Sequence, residues 1–492
     1  MSASERPTEP DPTAGPSGQV GPDATGDAGA PLDPGARLNS GGGLDSGGGL
    51  DSGAGAPPKD QVDVLRVLRL WAPLAASWIM MAMEPTLVIA AVSRLPEAKV
   101  NLAAWSSVVF PISLVIEGPI IMMLAASTRL SSSWARYSAV LRFGTVMSVA
   151  LSLLHAAVAF TPLYDVVAAG WLGCDPRVLE PGRVGLQIMT PWTLAIGYRR
   201  TQQGALIRFE RSGAVGMGTA VRLVVTASVL YLAGAATRVS GIAVAGLGVA
   251  IGVTAEAVYA RWRVREIHGA LRAEPAGEAL ELRGFLRFYA PLALTPLVTL
   301  FIQPIGAAGM NRMPRALDSV AAWGPVHALV FTMRSVGMAF NEVVVTLVAL
   351  GGGPRSLRRF GVGLALTTSG LLAVMALTPL SQVWFGEVQR IPAELVPMAR
   401  LGATLCLLMP AYQVAQSWYQ GLLVHAHRTR PITEAVLLYF GLAWALLELG
   451  VLRAEAHGAS GLNWTLVSFV IAGLAQTGWL WLRSRGVARA LG

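Results

Sequence analysis

One block of sequence occurs twice, the second copy 218 positions after the first. Leu68-Arg69-Leu70-Trp71-Ala72-Pro73-Leu74-Ala75 returns as Leu286-Arg287-Phe288-Tyr289-Ala290-Pro291-Leu292-Ala293. Ser93-Arg94-Leu95-Pro96 returns as Asn311-Arg312-Met313-Pro314, and Ala103-Ala104-Trp105 as Ala321-Ala322-Trp323. Leu141-Arg142-Phe143-Gly144 matches Arg358-Arg359-Phe360-Gly361, Thr161-Pro162-Leu163 matches Thr378-Pro379-Leu380, and Gln203-Gly204 matches Gln420-Gly421, all at an offset near 217. Ala255-Glu256 corresponds to Ala475-Gln476. Blocks held in register by one offset mean two copies of one folding unit. In a membrane chain, such a repeat points to a transporter.

The membrane follows from composition. Only 14% of residues are charged and 53% are hydrophobic, against roughly 25% charged in a soluble domain. From Val62 onward, apolar segments follow one another: 62–92, 98–128, 134–160, 180–207, 213–236, 240–266, 284–311, 318–350, 356–384, 396–425, 431–453 and 460–484. Each is long enough to cross a hydrocarbon core of roughly 30 Å. The stretches near 160–180 and 385–395 hold Pro, Gly and charges and read as loops. The expected fold is therefore all-α and integral to the membrane, with twelve transmembrane helices in two six-helix bundles. Six is even, so both copies keep one orientation and are related by a pseudo-two-fold along the membrane normal. The expected lobes are 61–268 and 282–492, joined by a cytoplasmic linker 269–281.

Arginine placement orients the chain. Arg129, Arg136, Arg208, Arg211, Arg261, Arg263, Arg265, Arg272, Arg283, Arg355, Arg358, Arg359, Arg428 and Arg430 fall in one set of loops, and the opposite loops are poorer. The basic side is expected to be cytoplasmic, with both termini there, in an inner or plasma membrane. Residues 1–60 are rich in Gly, Pro, Ser and Asp and carry nine acids against three bases. They cannot bury enough apolar surface to fold and are expected to be a disordered cytoplasmic tail. That tail contributes −6 to a net charge of +9, so the remainder carries +15. A basic membrane portion suits anionic lipid, a basic cytoplasmic face, or an anionic substrate. Cys174 and Cys406 cannot make a disulfide framework. No HExxH, CxxC, GxxxxGK[ST] or GxSxG occurs, so neither an enzyme nor a resident metal or cofactor is expected. The expected partners are the bilayer and a small-molecule substrate, with no nucleic acid, for a monomer.

Two six-helix bundles in parallel repeat, each with a proline-interrupted first helix, resemble the MATE-like superfamily of multidrug exporters and lipid-linked flippases. Leu68 to Ala75, Glu117-Gly118-Pro119, Gly204 and Phe288 to Ala293 are most similar to the progressive ankylosis family within it. The superfamily resemblance implies alternating access around a cavity between two lobes, with the second and eighth helices on opposite walls. The family resemblance implies export of small organic anions such as citrate or nucleotides. The long Gly/Asp tail is no part of that pattern.

A charge in mid-membrane is costly, so it normally faces a cavity, a partner or both. Glu84 precedes Pro85, whose ring frees a backbone carbonyl. A carboxylate beside a free carbonyl can take a proton or Na⁺, so Glu84 is a candidate coupling residue; its bland alternative is a pair with Arg94. The repeat places only neutral Gln303-Pro304 there. Glu117 precedes Gly118-Pro119, and its repeat position is Ser335, beside Arg334. Glu117 and Arg334 are candidate gate or substrate groups; the alternatives are a permanent pair, or pairing of each within its own lobe. His327, Arg334 and Asn341 recur every seven residues on one helix face, though a lone intramembrane His is as often structural. Arg199 and Arg200 have neutral repeat counterparts, Gln416 and Ser417. They suit an anion, or snorkel to headgroups. Arg222 lies deeper, and Glu256 is its expected partner and a further coupling candidate. Gln413 and Gln416 are expected on the cavity wall. A multidrug exporter of organic cations, a lipid-linked flippase, and a passive channel or scaffold are the competing functions.

Overall fold

The computed structural model describes residues 64–235, 239–275, 280–349, 354–454 and 458–490. The tail expected over 1–60 lies outside them, as does part of the linker. Among the described residues, twelve long helices follow one another: α1 Val64–Val92, α2 Ala98–Leu130, α3 Trp134–Phe160, α4 Pro176–Arg208, α5 Ser212–Ala235, α6 Gly241–Arg263, α7 Leu282–Asn311, α8 Ala316–Ala349, α9 Pro354–Leu377, α10 Ala393–His425, α11 Arg430–Leu452 and α12 Gly461–Ala490. Eleven are long and apolar enough to cross a membrane. The exception is α4, which turns Arg199, Thr201, Gln202 and Gln203 into the protein interior. Its polar residues are buried against neighbouring helices, which is where a membrane helix must put them.

Several boundaries depart from the sequence-based expectation. The fourth helix starts at Pro176, not 180, because Asp175 caps it by accepting a bond from the Arg177 amide at 2.9 Å. The ninth ends at Leu377, not 384, since the Thr378-Pro379 step breaks it. The stretches read as loops contain short helices, Leu163–Asp165 with Val166–Trp171 and Leu380–Gln382 with Val383–Val388. The linker starts as helix, His268–Ala273.

The repeat is written into the backbone. Glu97 and Arg315, 218 positions apart, both take left-handed φ, 54° and 56°, in the turns before α2 and α8. Gly173 and Arg390, and Glu210 and His427, do the same at an offset of 217. Non-glycine residues seldom adopt this conformation, so its recurrence shows two copies of one chain path. The wide helical turns Val166–Trp171 and Val383–Val388 also fall 217 apart.

The face where α1 begins is called near, and the opposite one far. On the near side the first helix of each half leans on the other half. The near half of α1 packs Val67, Trp71 and Leu74 against Phe340, Val344, Leu357 and Phe360 of α8 and α9. The Trp71 indole donates to the Val336 carbonyl at 3.1 Å. Reciprocally, Phe285 of α7 meets Phe143 of α3, the Tyr289 hydroxyl donates to the Pro119 carbonyl, and Leu297 lies over Gly118. Beyond a break at Phe301, the far half of α7 returns to its own half, packing Gly306 on Phe469 and Gly309 on Leu447.

On the far side the two halves are joined. Lys99 of α2 lies 2.5 Å from Asp318 of α8 and 2.8 Å from Glu394 at the start of α10. Arg94 donates to the Val388 carbonyl at 3.0 Å, Arg312 to that of Trp171 at 2.7 Å, and Asn311 to that of Leu172 at 2.9 Å. Ser106 and Gly324 occupy equivalent repeat positions and meet across the interface, where a Cβ on Gly324 would stand 2.5 Å from the Ser106 hydroxyl.

Candidate functional site

Inside the first lobe, α1, α4, α5 and α6 bring four of the sequence-predicted charges into one network. Glu256 is fully buried. Its Oε2 accepts from Arg199 Nη1 at 2.6 Å and lies 3.7 Å from Arg222 Nε, while Oε1 accepts from Gln203 at 2.9 Å. Arg222 Nε is also 3.5 Å from Glu84, whose Oε1 accepts from the Thr226 hydroxyl at 3.2 Å. Arg222 thus bridges two acids on two helices. Arg94, the alternative partner for Glu84, instead caps carbonyls at Ala90 and Val388. The expected Arg222–Glu256 pairing is present, with Arg199 the closer partner.

Glu117 and Arg200 lie beside this network without joining it. Glu117 is 3% exposed and sits where Pro119 tightens α2 into a short 3-10 turn, Gly118–Ile120. No ion pair within 4 Å engages Glu117 or Arg200 among the described residues. Arg200 is half-buried, and its Nε has no hydrogen-bond partner.

The second lobe has the same construction with the charge removed. Gln416 and Gln476, the counterparts of Arg199 and Glu256, hydrogen-bond each other at 3.2 Å. Gln416 also donates to the Thr477 hydroxyl at 3.0 Å and the Gly473 carbonyl at 3.2 Å. Arg334 points to α10, donating to Gln413 Oε1 at 2.8 Å, with its guanidinium 6.0 Å from the Tyr412 ring centre. No carboxylate lies within ion-pair distance of it among the described residues. Asn341 also faces α10, donating to the Ser417 carbonyl at 3.1 Å. His327 sits between Trp323 and Phe331, at 5.4 and 5.8 Å between ring centres. Of the three heptad-spaced residues, Arg334 and Asn341 bond α10, whereas His327 lies between aromatic rings. Glu117 and Arg334 do not pair.

Sequence reasoning missed Thr226 and the far-side triad. Thr226 is one turn from Arg222 on the same face, so helical spacing was a usable signal. Lys99 and Asp318 stand one position away from repeat equivalence; opposite charges at near-equivalent positions meet wherever the pseudo-axis runs between them.

No family model and no curated protein matches the sequence. Solved structures do share the fold. A multidrug resistance MATE family transporter of the MOP superfamily in an inward-facing conformation matches with TM-score 0.64 and 11% identity, covering 85% of this chain and 99% of that one. An outward-facing conformation of a multidrug resistance MATE family transporter gives TM-score 0.55 and 12% identity over 86% and 96%. A MOP superfamily transporter from Pyrococcus furiosus, described for the reversed polarity of its binding pocket, gives 0.57 and 12% over 88% and 99%.

Proposed function

We propose that this chain is a secondary active transporter that exports small organic anions by alternating access between its two lobes. The fold it shares with MATE transporters supports transport, and the joined far side describes one of the two states such a cycle needs. With the basic near face taken as cytoplasmic, that state is inward-facing. The anion reading is carried by Arg334. It is a half-buried cation with a neutral partner in a lobe whose counterpart network has lost its acids. A carboxylate or phosphate would complete it through charge-assisted hydrogen bonds. Arg200 adds a positive charge without an ion pair in the first lobe, beside Arg199 and Arg222, which Glu256 and Glu84 hold. His327, Asn341, Gln413 and Gln416 supply neutral polar groups on α8 and α10. The blocks similar to the progressive ankylosis family point to the same substrate class. The reversed pocket polarity described for the Pyrococcus furiosus transporter is precedent for one fold serving different charges.

In this reading Glu84 couples transport to H⁺ or Na⁺. It is the network's most accessible acid, with a side chain 15% exposed against none for Glu256. Neutralising it frees Arg222 for Glu256 alone, which loosens α1 from α5. Glu117 shapes the gate from the opposite wall.

A second reading has its own observation. Glu117 is a buried carboxylate without an ion pair, which is what an organic cation seeks. Uptake of citrate, nucleotides and a cationic dye into proteoliposomes separates the two. Saturable anion uptake that falls about tenfold or more in Arg334→Ala, the loss of one charged hydrogen bond, is the expected result. Dye uptake lost in Glu117→Gln, with anion flux absent throughout, would assign the cation reading instead. Flux that never exceeds equilibrium would mark a channel.

A further inference from the structure

On the near side of the first lobe, away from the cleft network, α3, α6 and the short helix His268–Ala273 flank an open pocket of about 450 Å³. Its lining includes Trp134, Tyr137, Arg142, Val146, Arg261 and His268. Trp134 packs edge-on against His268 at 5.0 Å, and Arg272 stacks on the Trp134 ring at 4.6 Å. The Tyr137 hydroxyl is anchored by donating to Gln202 at 2.6 Å, which fixes the inner wall.

Arg142, Arg261 and His268 are the basic groups of the lining, and no acid contributes to it. Among the described residues, Arg142, Arg261 and Arg272 take part in no ion pair. Arg261 Nη1 and His268 Nε2 are buried without a hydrogen-bond partner. A concentration of unsatisfied donors and cations of this kind needs an anion.

The pocket also has a direction. Arg142 is eight residues from Trp134, about 12 Å up the helix at the α-helical rise. It is exposed, two turns inside a membrane-spanning segment, where an uncompensated charge is costly. Above it on α3, Val146, Val149 and Leu153 are 64%, 42% and 66% exposed. A basic, aromatic-walled opening thus continues into an apolar surface that would face lipid. A free phosphate would use only the first part, whereas a phospholipid uses both.

We propose that this pocket is a binding site for the phosphate headgroup of an anionic phospholipid from the near-side leaflet. Arg142, Arg261 and His268 take the phosphate, and the acyl chain lies along Val146, Val149 and Leu153. Trp134 holds the interfacial level, as aromatic belt residues do.

The test uses the full chain purified in mild detergent, with retained phosphatidylglycerol and phosphatidylcholine counted by native mass spectrometry. Phosphatidylglycerol is expected to be retained in excess. Arg142→Gln and Arg261→Gln each reduce that excess about fivefold, the scale of one basic residue at an anionic surface. Arg142→Lys with Arg261→Lys preserves most of it. Equal retention by the wild type and the double Gln variant would overturn the site. Tight binding of inorganic phosphate with no phosphatidylglycerol preference would assign the pocket to free phosphate and overturn the lipid. Should the Gln variants fail to fold, phosphatidylglycerol with brominated chains reads the site on the native chain. Its quenching of tryptophan fluorescence must drop in Trp134→Phe; no drop overturns the proposal.

Discussion

Glu256 and Gln476 do the same structural work with different charge. Each bridges the sixth helix of its lobe to the fourth through a side-chain hydrogen bond, 2.6 Å to Arg199 in one case and 3.2 Å to Gln416 in the other. The second lobe shows that this fold closes the contact without ions. Burying an ion pair costs desolvation that its attraction only about repays, so folding does not require the charges in the first lobe. Glu256→Gln is expected to destabilise the protein by about 3–5 kcal/mol, the cost of leaving a buried charge without its partner. Arg199 and Arg222 both lose their shared carboxylate. Adding Arg199→Gln rebuilds the second-lobe pair and should recover more than half of that loss in thermal unfolding of the purified protein. If the double variant is as unstable as the single one, the two lobes are not interchangeable at this contact. A stable double variant with no transport would place the role of the charges in function.

The helices meet where a side chain is missing. A Cβ on Gly204 of α4 would stand 2.4 Å from the Leu124 carbonyl and 2.9 Å from the Thr128 amide, both backbone atoms of α2. On its counterpart Gly421 of α10, a Cβ would meet only Val344 side-chain atoms within 3 Å. Backbone cannot rotate aside, so Gly204→Ala should cost more than Gly421→Ala. Both fall in the range of about 1–3 kcal/mol for overpacking, and the order is readable as a difference in melting temperature. Equal shifts would mean that α2 slides. Both glycines were visible in the sequence as a repeated Gln-Gly pair, because tight helix contacts constrain single residues. The helix count and the two copies were legible for a similar reason, since bilayer thickness and repeat offset act along the chain. The crossing of α1 and α7 was not. Pro73 and Pro291 mark a proline-interrupted first helix in each half, but nothing local says which lobe the near half of that helix touches. Arg334 read as a gate group opposite Glu117, and in this state it bonds Gln413 instead; repeat register does not give the direction in which each side chain leaves its helix.

Among the described residues, a small set of polar contacts joins the two halves on the far side. Lys99 binds Asp318 and Glu394, which belong to the other half, and Arg315 supports Asp318 from 3.1 Å. The side chains of Lys99 and Asp318 are 29% and 21% exposed, so solvent screens the bridge. Each such pair is worth about 0.2–1 kcal/mol, enough to bias an equilibrium between two packed states and too little to lock it. Beneath them, Ser106 and Gly324 touch at equivalent positions, while Glu117 and Arg334, further along the same two helices, do not pair. The two helices therefore converge toward the far face and diverge toward the near one. Lys99→Glu replaces attraction with repulsion against two carboxylates and should raise the far-open population about tenfold. Spin labels at Glu180→Cys on α4 and Glu387→Cys beyond α9 would report it as a second, longer distance, with native Cys174 and Cys406 buried and silent. Lys99→Gln should lie between the two. If the distance distribution is the same in all three proteins, the ionic contacts do not set the balance. The apolar seam around Ser106 and Gly324 would then be the gate, and Gly324→Ala, which forces that seam apart, should produce the longer distance alone.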